Sequence, residues 1–220
     1  MAKIGVVLSG CGVFDGAEIY ESVLTLYFLQ KNGAEVVMMA PDIDQMHVIN
    51  HLKGEPAEGE SRNVLVEAAR IARGDIKDMA EVKASDFDAL CFPGGFGAAK
   101  NLTTFAVDGP DCQINDDVLR LVSETLKAKK PLAAICIAPV IVAKALEGTG
   151  IKSSITIGNE EGVAGGINAL GAKHVNCPVT EFIVDEENKI VTTPAYMLGQ
   201  NIVEVAEGIE KTCKKLLSMI

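Results

Sequence analysis

The residue best placed for chemistry in this chain is Cys136, at the centre of the stretch PLAAICIAPVIVAKALEG from Pro131 to Gly148. Leu132 to Ile135 form the short apolar run of a buried parallel strand, and Val140 to Leu146 continue with helical spacing until Gly148. A strand that becomes a helix within about two residues turns at one strained residue, which places that side chain on an exposed tip. Ala134 and Ala138 supply the small neighbours such an elbow needs, where the hydrolase version carries glycines. A thiol there sits beside unpaired backbone N–H groups and the positive end of a helix dipole, which favour thiolate and hence nucleophilic attack. The other reading of Cys136 is a small buried hydrophobe.

A nucleophilic thiol needs an oxyanion site and a group that moves protons. The turn Pro93, Gly94, Gly95, Phe96, Gly97 follows an apolar strand and exposes consecutive N–H groups. The N–H groups of Gly95 and Ile137 are the expected oxyanion donors. Glu18 and Glu21 share one face of the first helix, and Glu21 falls among Tyr20, Val23 and Leu24. A carboxyl buried beside a thiolate has its pKa raised and can exchange protons with substrate. His47, His51 and His174 are the histidines, and none falls in a loop expected beside the elbow. His174 is followed by Val175 and Asn176, so it lacks the carboxylate that orients an amidotransferase triad. Cys11, in Ser9-Gly10-Cys11-Gly12, ends the first strand and is expected to line the same pocket as Cys136, as are Gly94, Asn159 and Glu160.

The elements that must position these groups alternate between strand and helix. Lys3–Ser9, Glu35–Ala40, Ala89–Phe92 and Leu132–Ile135 read as buried strands. Ser154–Ile157 reads as a further short strand. Val179–Val184 and Lys189–Thr193 flank the acidic turn DEEN as an edge hairpin. The first helix is expected to be capped by Asp15, with Ile19, Val23, Leu26 and Leu29 marking its spacing, and Asn32 with Gly33 ends it. Ser61 is expected to cap a helix through Arg73, and Asn115 one that carries Val118, Leu121, Val122 and Leu126 inward. Phe105–Gln113 reads as loop. Gln200–Leu217 is amphipathic, with Ile202, Val205, Ile209, Cys213 and Leu216 on its core stripe. This alternation gives an α/β fold with a doubly wound, mostly parallel sheet, helices on both faces and an edge hairpin. In such folds the site forms beyond the carboxyl ends of the strands, so the loops of Cys11, Gly94, Cys136 and Asn159 should converge there.

Composition bounds the partners. The 220 residues, 48% hydrophobic, suffice for one sizeable core and a single domain over 1–220. A formal charge of −10 repels phosphate backbones and anionic lipid, which argues against nucleic-acid and membrane partners. Six scattered cysteines show no CxxC pair or metal-ligand spacing and suit a reducing compartment. With no signal-peptide pattern at the start and no apolar run of about 18 residues, the expectation is a soluble, cytoplasmic protein.

Three motifs in this order, GAEIYESV (16–23), FPGGFGAAKNL (92–102) and AAICIAP (133–139), resemble the PfpI superfamily, which is class I glutamine amidotransferase-like. The flanks SGCGVFDGAEI and TTPAYM (192–197) are similar, more narrowly, to the ElbB-type glyoxalases, once called isoprenoid biosynthesis proteins with an amidotransferase-like domain. The resemblance covers essentially the whole chain. It implies a flavodoxin-like fold, a homodimer, and cofactor-independent conversion of small reactive aldehydes by a cysteine and a protonated glutamate. By position, Cys136 matches the nucleophile and Glu21 the glutamate. Where relatives place a histidine after the following strand, this chain has Gly158, Asn159 and Glu160, which weakens a protease or glutaminase reading. The implied activity is a glutathione-independent glyoxalase acting on glyoxal, and on methylglyoxal, to give the 2-hydroxy acid, with protein deglycation as another face of that chemistry. The competing function is a redox sensor or interaction protein in which Cys136 is oxidised.

Overall fold

A computed structural model describes residues 1–220. Seven strands form the central sheet: β1 Lys3–Val7, β2 Glu35–Ala40, β3 Lys77–Asp78, β4 Ala89–Phe92, β5 Leu132–Ile135, β6 Ile183–Asp185 and β7 Ile190–Thr193. Their spatial order is β6-β7-β5-β4-β1-β2-β3, parallel throughout except for the β6–β7 hairpin at one edge. This is the doubly wound, flavodoxin-like α/β arrangement the strand and helix alternation predicts.

The main helices are α1 Ile19–Lys31, α2 Val64–Ile71, α3 Phe96–Lys100, α4 Asp116–Lys127, α5 Pro139–Leu146, α6 Glu161–Ala169 and α7 Ile202–Ser218. Alternation along the buried strands splits the interior into two layers. Leu90, Phe92, Leu132 and Ala134 face Val118, Leu121 and Val122 of α4 and Val140 to Leu146 of α5. Ala89, Cys91, Ala133 and Ile135 face Phe28 and Leu29 of α1, Val64 and Ala68 of α2, and Val205, Ile209 and Cys213 of α7. No helix is long and apolar enough to cross a membrane.

Several local expectations are corrected. The carboxylate of Glu18, not Asp15, caps α1 by accepting from the Glu21 N–H at 2.6 Å. Asp15 instead accepts the Ile49 N–H at 2.7 Å and pins a distant loop. Helix α1 is also rotated from its expected face: Glu21, Ser22, Thr25, Phe28 and Leu29 are buried, whereas Ile19 and Val23 are exposed. Its apolar residues ring the helix, so spacing alone cannot choose the buried side. Asn63, not Ser61, caps α2. Ile202 at the start of α7 is exposed, though the rest of its stripe is core. Only Ser154–Ile155 of the expected 154–157 strand is paired, and with Lys173–His174 outside the main sheet. Phe105–Asp108, expected as loop, forms a single helical turn.

Candidate active site

The elbow forms as its sequence requires. Cys136 has φ 63°, a left-handed conformation that costs a residue with a Cβ about 1–3 kcal/mol. Its N–H still completes the sheet by donating to Thr193 O at 2.9 Å, and Ala138 N–H donates back to Ile135 O at 3.0 Å. The chain thus turns within one residue between β5 and α5, and the side chain is aimed at the carboxyl edge of the sheet, 7% exposed.

Two glycines bring the neighbouring turn against it. A Cβ on Gly94 would overlap Cys136 Cβ and Glu21 Oε2, and one on Gly95 (φ 99°) would overlap the backbone of Gly16 and Glu18. The turn is stitched to the loop after β1 by Glu18 N–H to Gly94 O at 2.9 Å and Phe96 N–H to Val13 O at 2.8 Å. In this position the N–H groups of Gly95 and Ile137 both reach the Cys136 sulfur.

Glu21 is fully buried beside the thiol. Its Oε2 accepts the Gly94 N–H and its Oε1 the Tyr196 N–H, each at 3.1 Å, and its carboxyl stands beside the Cys136 side chain. Ala195, with φ 44°, is a second left-handed residue, and it turns the chain so that the following N–H faces Glu21. Burial lifts the Glu21 pKa to about 8, against the opposing pull of the Tyr196 N–H. The carboxyl is therefore mostly protonated at neutral pH and carries an O–H beside the sulfur.

The same burial, then the charge of Glu21, raises the Cys136 thiol, contrary to the lowered pKa expected of a cysteine at a helix N-terminus. Enclosure outweighs the dipole here. The two groups form one unit: moving a proton from sulfur to carboxyl exchanges S–H with carboxylate for thiolate with COOH. Each of these anions has two backbone N–H donors waiting. Glu18, also raised by burial, lies beside this unit.

Above the sulfur is a cavity of about 190 Å³ lined by Val13, Glu18, Gly95, Phe96, Ile137 and Tyr196, with Val163 and Met197. The structure thus brings together Cys136, Glu21, Gly95 and Ile137, with Gly94 packed behind the pair. The other expected pocket residues lie elsewhere. Cys11 is at the same sheet edge but lies near Glu67 and Arg70 of α2, away from the cavity lining. Its turn folds back through Gly16 N–H to Gly12 O at 2.7 Å, which sends the side chain to the α2 side. Asn159 and Glu160 are exposed. Glu160 spends both carboxylate oxygens capping α6, on the N–H groups of Gly162 and Val163. From that segment it is Val163 that reaches the cavity.

No histidine lines the cavity. His51 accepts the Phe14 N–H on Nε2 and hydrogen-bonds Ile49 O through Nδ1, so both ring nitrogens are spent on backbone. His174 accepts the Ile157 N–H, and His47 is exposed. Tyr196 and Met197 were not singled out as site residues, yet they follow β7 directly, where the rule of strand carboxyl ends places a site.

Comparison with known proteins bears on the family and the fold. The DJ-1/PfpI family matches residues 11–195. The ES1 protein homolog, mitochondrial, of Rattus norvegicus is 51% identical, covering 99% of this chain and 84% of its own. The glutamine amidotransferase-like class 1 domain-containing protein 3, mitochondrial, of Homo sapiens is also 51% identical, with coverage of 99% and 83%. A crystal structure of an isoprenoid biosynthesis protein with amidotransferase-like domain from Ehrlichia chaffeensis superposes with TM-score 0.93 at 36% identity, covering 100% and 99% of the two chains. Glyoxalase III of Candida albicans shares the fold, with TM-score 0.65 at 14% identity and coverage of 100% and 97%. The mitochondrial names of the rat and human relatives overturn the expectation of a cytoplasmic protein. Scattered free thiols report on redox conditions and cannot distinguish one reducing compartment from another. With the elbow, the buried glutamate and the glycine turn all in place, the chain belongs to the DJ-1/PfpI family.

Proposed function

We propose that this protein is a cofactor-independent glyoxalase that converts glyoxal, and methylglyoxal, to the 2-hydroxy acid. The observation that carries this reading is the enclosed pair of Cys136 and a Glu21 carboxyl whose pKa of about 8 lets it both hold and accept a proton near neutral pH. Cys136 adds to one aldehyde carbon as its thiol proton passes to the Glu21 carboxylate. The N–H groups of Gly95 and Ile137 receive the resulting oxyanion, which then takes that proton and leaves Glu21 free to act as base. Glu21 removes the proton from that carbon, giving an enediol, and returns it to the neighbouring carbon to leave a thioester. Water then hydrolyses the thioester, releasing the 2-hydroxy acid and the thiol. An aldehyde is electrophilic enough to take the sulfur without a histidine base, which fits a cavity that has none.

Cys136→Ser should abolish conversion of glyoxal to glycolate, and Glu21→Gln should lower it by about 10²-fold or more. Wild-type turnover in Cys136→Ser would refute the mechanism. The same N–H groups would also hold an oxidised sulfur, so a peroxide titration followed by intact mass separates the sensor reading. Rapid single-site oxidation with negligible glyoxal turnover would favour the sensor. A second copy of this chain is the proposed macromolecular partner, supported by exposed Ile19, Tyr20, Val23 and Tyr27 on α1.

A further inference from the structure

A second cavity, about 420 Å³, adjoins the one over Cys136. Phe96, Ile137 and Val163 line both, so the two spaces share a wall that begins at the residue after the nucleophile. Its remaining lining includes Ala99, Phe105 and Pro110, and none of its lining residues is ionisable. Its size alone falls within the roughly 300–1,000 Å³ of ligand pockets, whereas glyoxal has only four heavy atoms. The cavity is held open by built contacts. A Cβ on Gly166 would come 2.5 Å from Phe105 Cζ, so this glycine lets the buried ring stand against α6. Phe96, at the shared wall, is fixed by Lys100, whose Nζ lies 5.2 Å from the ring centroid and donates to Phe14 O at 2.9 Å.

We infer that this second cavity is an annex of the active site that receives the aromatic substituent of a 2-oxoaldehyde while its aldehyde carbon sits at Cys136. The inference rests on the glyoxalase reading for the chemistry, but on the shared lining of the two adjoining cavities for the recognition. Two aromatic rings and a proline offer apolar surface to a flat, neutral group. An anionic substituent finds no cation there and passes Glu18 at the cavity below. Small 2-oxoaldehydes would occupy only the lower space and gain nothing from the annex.

The test compares kcat/KM for phenylglyoxal and glyoxal in the parent protein and in Ala106→Leu and Ala99→Leu. Both positions line the annex, Ala106 exposed and Ala99 buried, and each leucine narrows it. The phenylglyoxal-to-glyoxal ratio should drop about tenfold or more in each variant that melts like the parent. An unchanged ratio overturns the annex and leaves the glyoxalase reading standing.

A second arm needs no turnover. Iodoacetanilide and iodoacetamide alkylate Cys136 by the same step: sulfur displaces iodide, forming the S–C bond, and the thiol proton is released. Site-resolved mass spectrometry should show faster labelling by the anilide, relative to a free thiol, and loss of that preference in the leucine variants. If neither aldehyde is turned over, the glyoxalase reading fails and this labelling preference alone decides the annex. No preference for the anilide, or no labelling of Cys136 by it, overturns the annex.

Discussion

Glu21 carries a measurable signature at the scale of one residue. Its folded pKa, about 8, lies above the ordinary 4.5, so the folded state binds more protons across that window. Stability contributed by the protonated carboxyl is full below about pH 4.5 and is lost as pH rises through 8, a change of roughly 5 kcal/mol at most. Chemical denaturation should therefore show the parent losing stability between pH 5 and 8.5. In Glu21→Gln the share of this slope that belongs to Glu21 should vanish, leaving that of Glu18, whose carboxyl burial also raises. The variant should also be weaker by about 1–3 kcal/mol at pH 5, since both oxygens of Glu21 accept backbone N–H groups and an amide nitrogen cannot. A parent profile flat across the window would refute the raised carboxyl. Only a carboxyl can accept at both oxygens and also donate to sulfur, which gives a physical reason for glutamate at this position.

At the scale of elements, the glycine turn between β4 and α3 is the tightest constraint. Gly95→Ala must adopt φ near 99° and drive its Cβ into the backbone of Gly16 and Glu18, where no side chain can swing away. It should cost about 3 kcal/mol or more, read as a lowered denaturation midpoint, and lower glyoxal turnover with it. An alanine variant as stable as the parent would mean that the turn can shift freely. Such turns were legible in the sequence, because a glycine pair after an apolar run states its own backbone requirement. So was the elbow, since four apolar residues, a cysteine and a helical run leave no room for a loop. The rotation of α1 was not legible: with Ile19, Tyr20, Val23 and Phe28 spread round the helix, only the packed partners decide which side is inside. The side taken by Cys11 was hidden likewise, because the Gly12 to Gly16 turn that redirects it depends on contacts with other loops.

For the whole molecule, the exposed face of α1 matters most. Ile19, Tyr20, Val23 and Tyr27 are each between 43% and 54% exposed, and Tyr20 packs against the Tyr196 ring near the site, with centroids 6.3 Å apart. Apolar groups gathered this way support the proposed homodimer. Sedimentation at micromolar concentration should give a dimer for the parent and a monomer for Val23→Glu combined with Tyr27→Glu. A monomeric parent would remove the homodimer from the proposal. The overall topology was readable from alternating strand and helix patterns, whereas the two-residue strand β3, Lys77–Asp78, is polar and gave no periodic signal.

The contacts of Glu21 also have a chronology. Its partners Gly94 and Tyr196 lie 73 and 175 positions further along the chain. Closing such separations costs chain entropy before any contact rewards it, so these bonds belong to the late steps of folding. The turn that offers the Tyr196 N–H follows β7, which itself receives the Cys136 N–H at Thr193. During synthesis the thiol therefore leaves the ribosome long before the strand and turn that enclose it. A nascent or refolding chain passes through an interval in which Cys136 is open to alkylation and no proton partner is set. Pulse labelling during refolding should find protection of Cys136 arriving with the slowest phase, after most helical signal has returned.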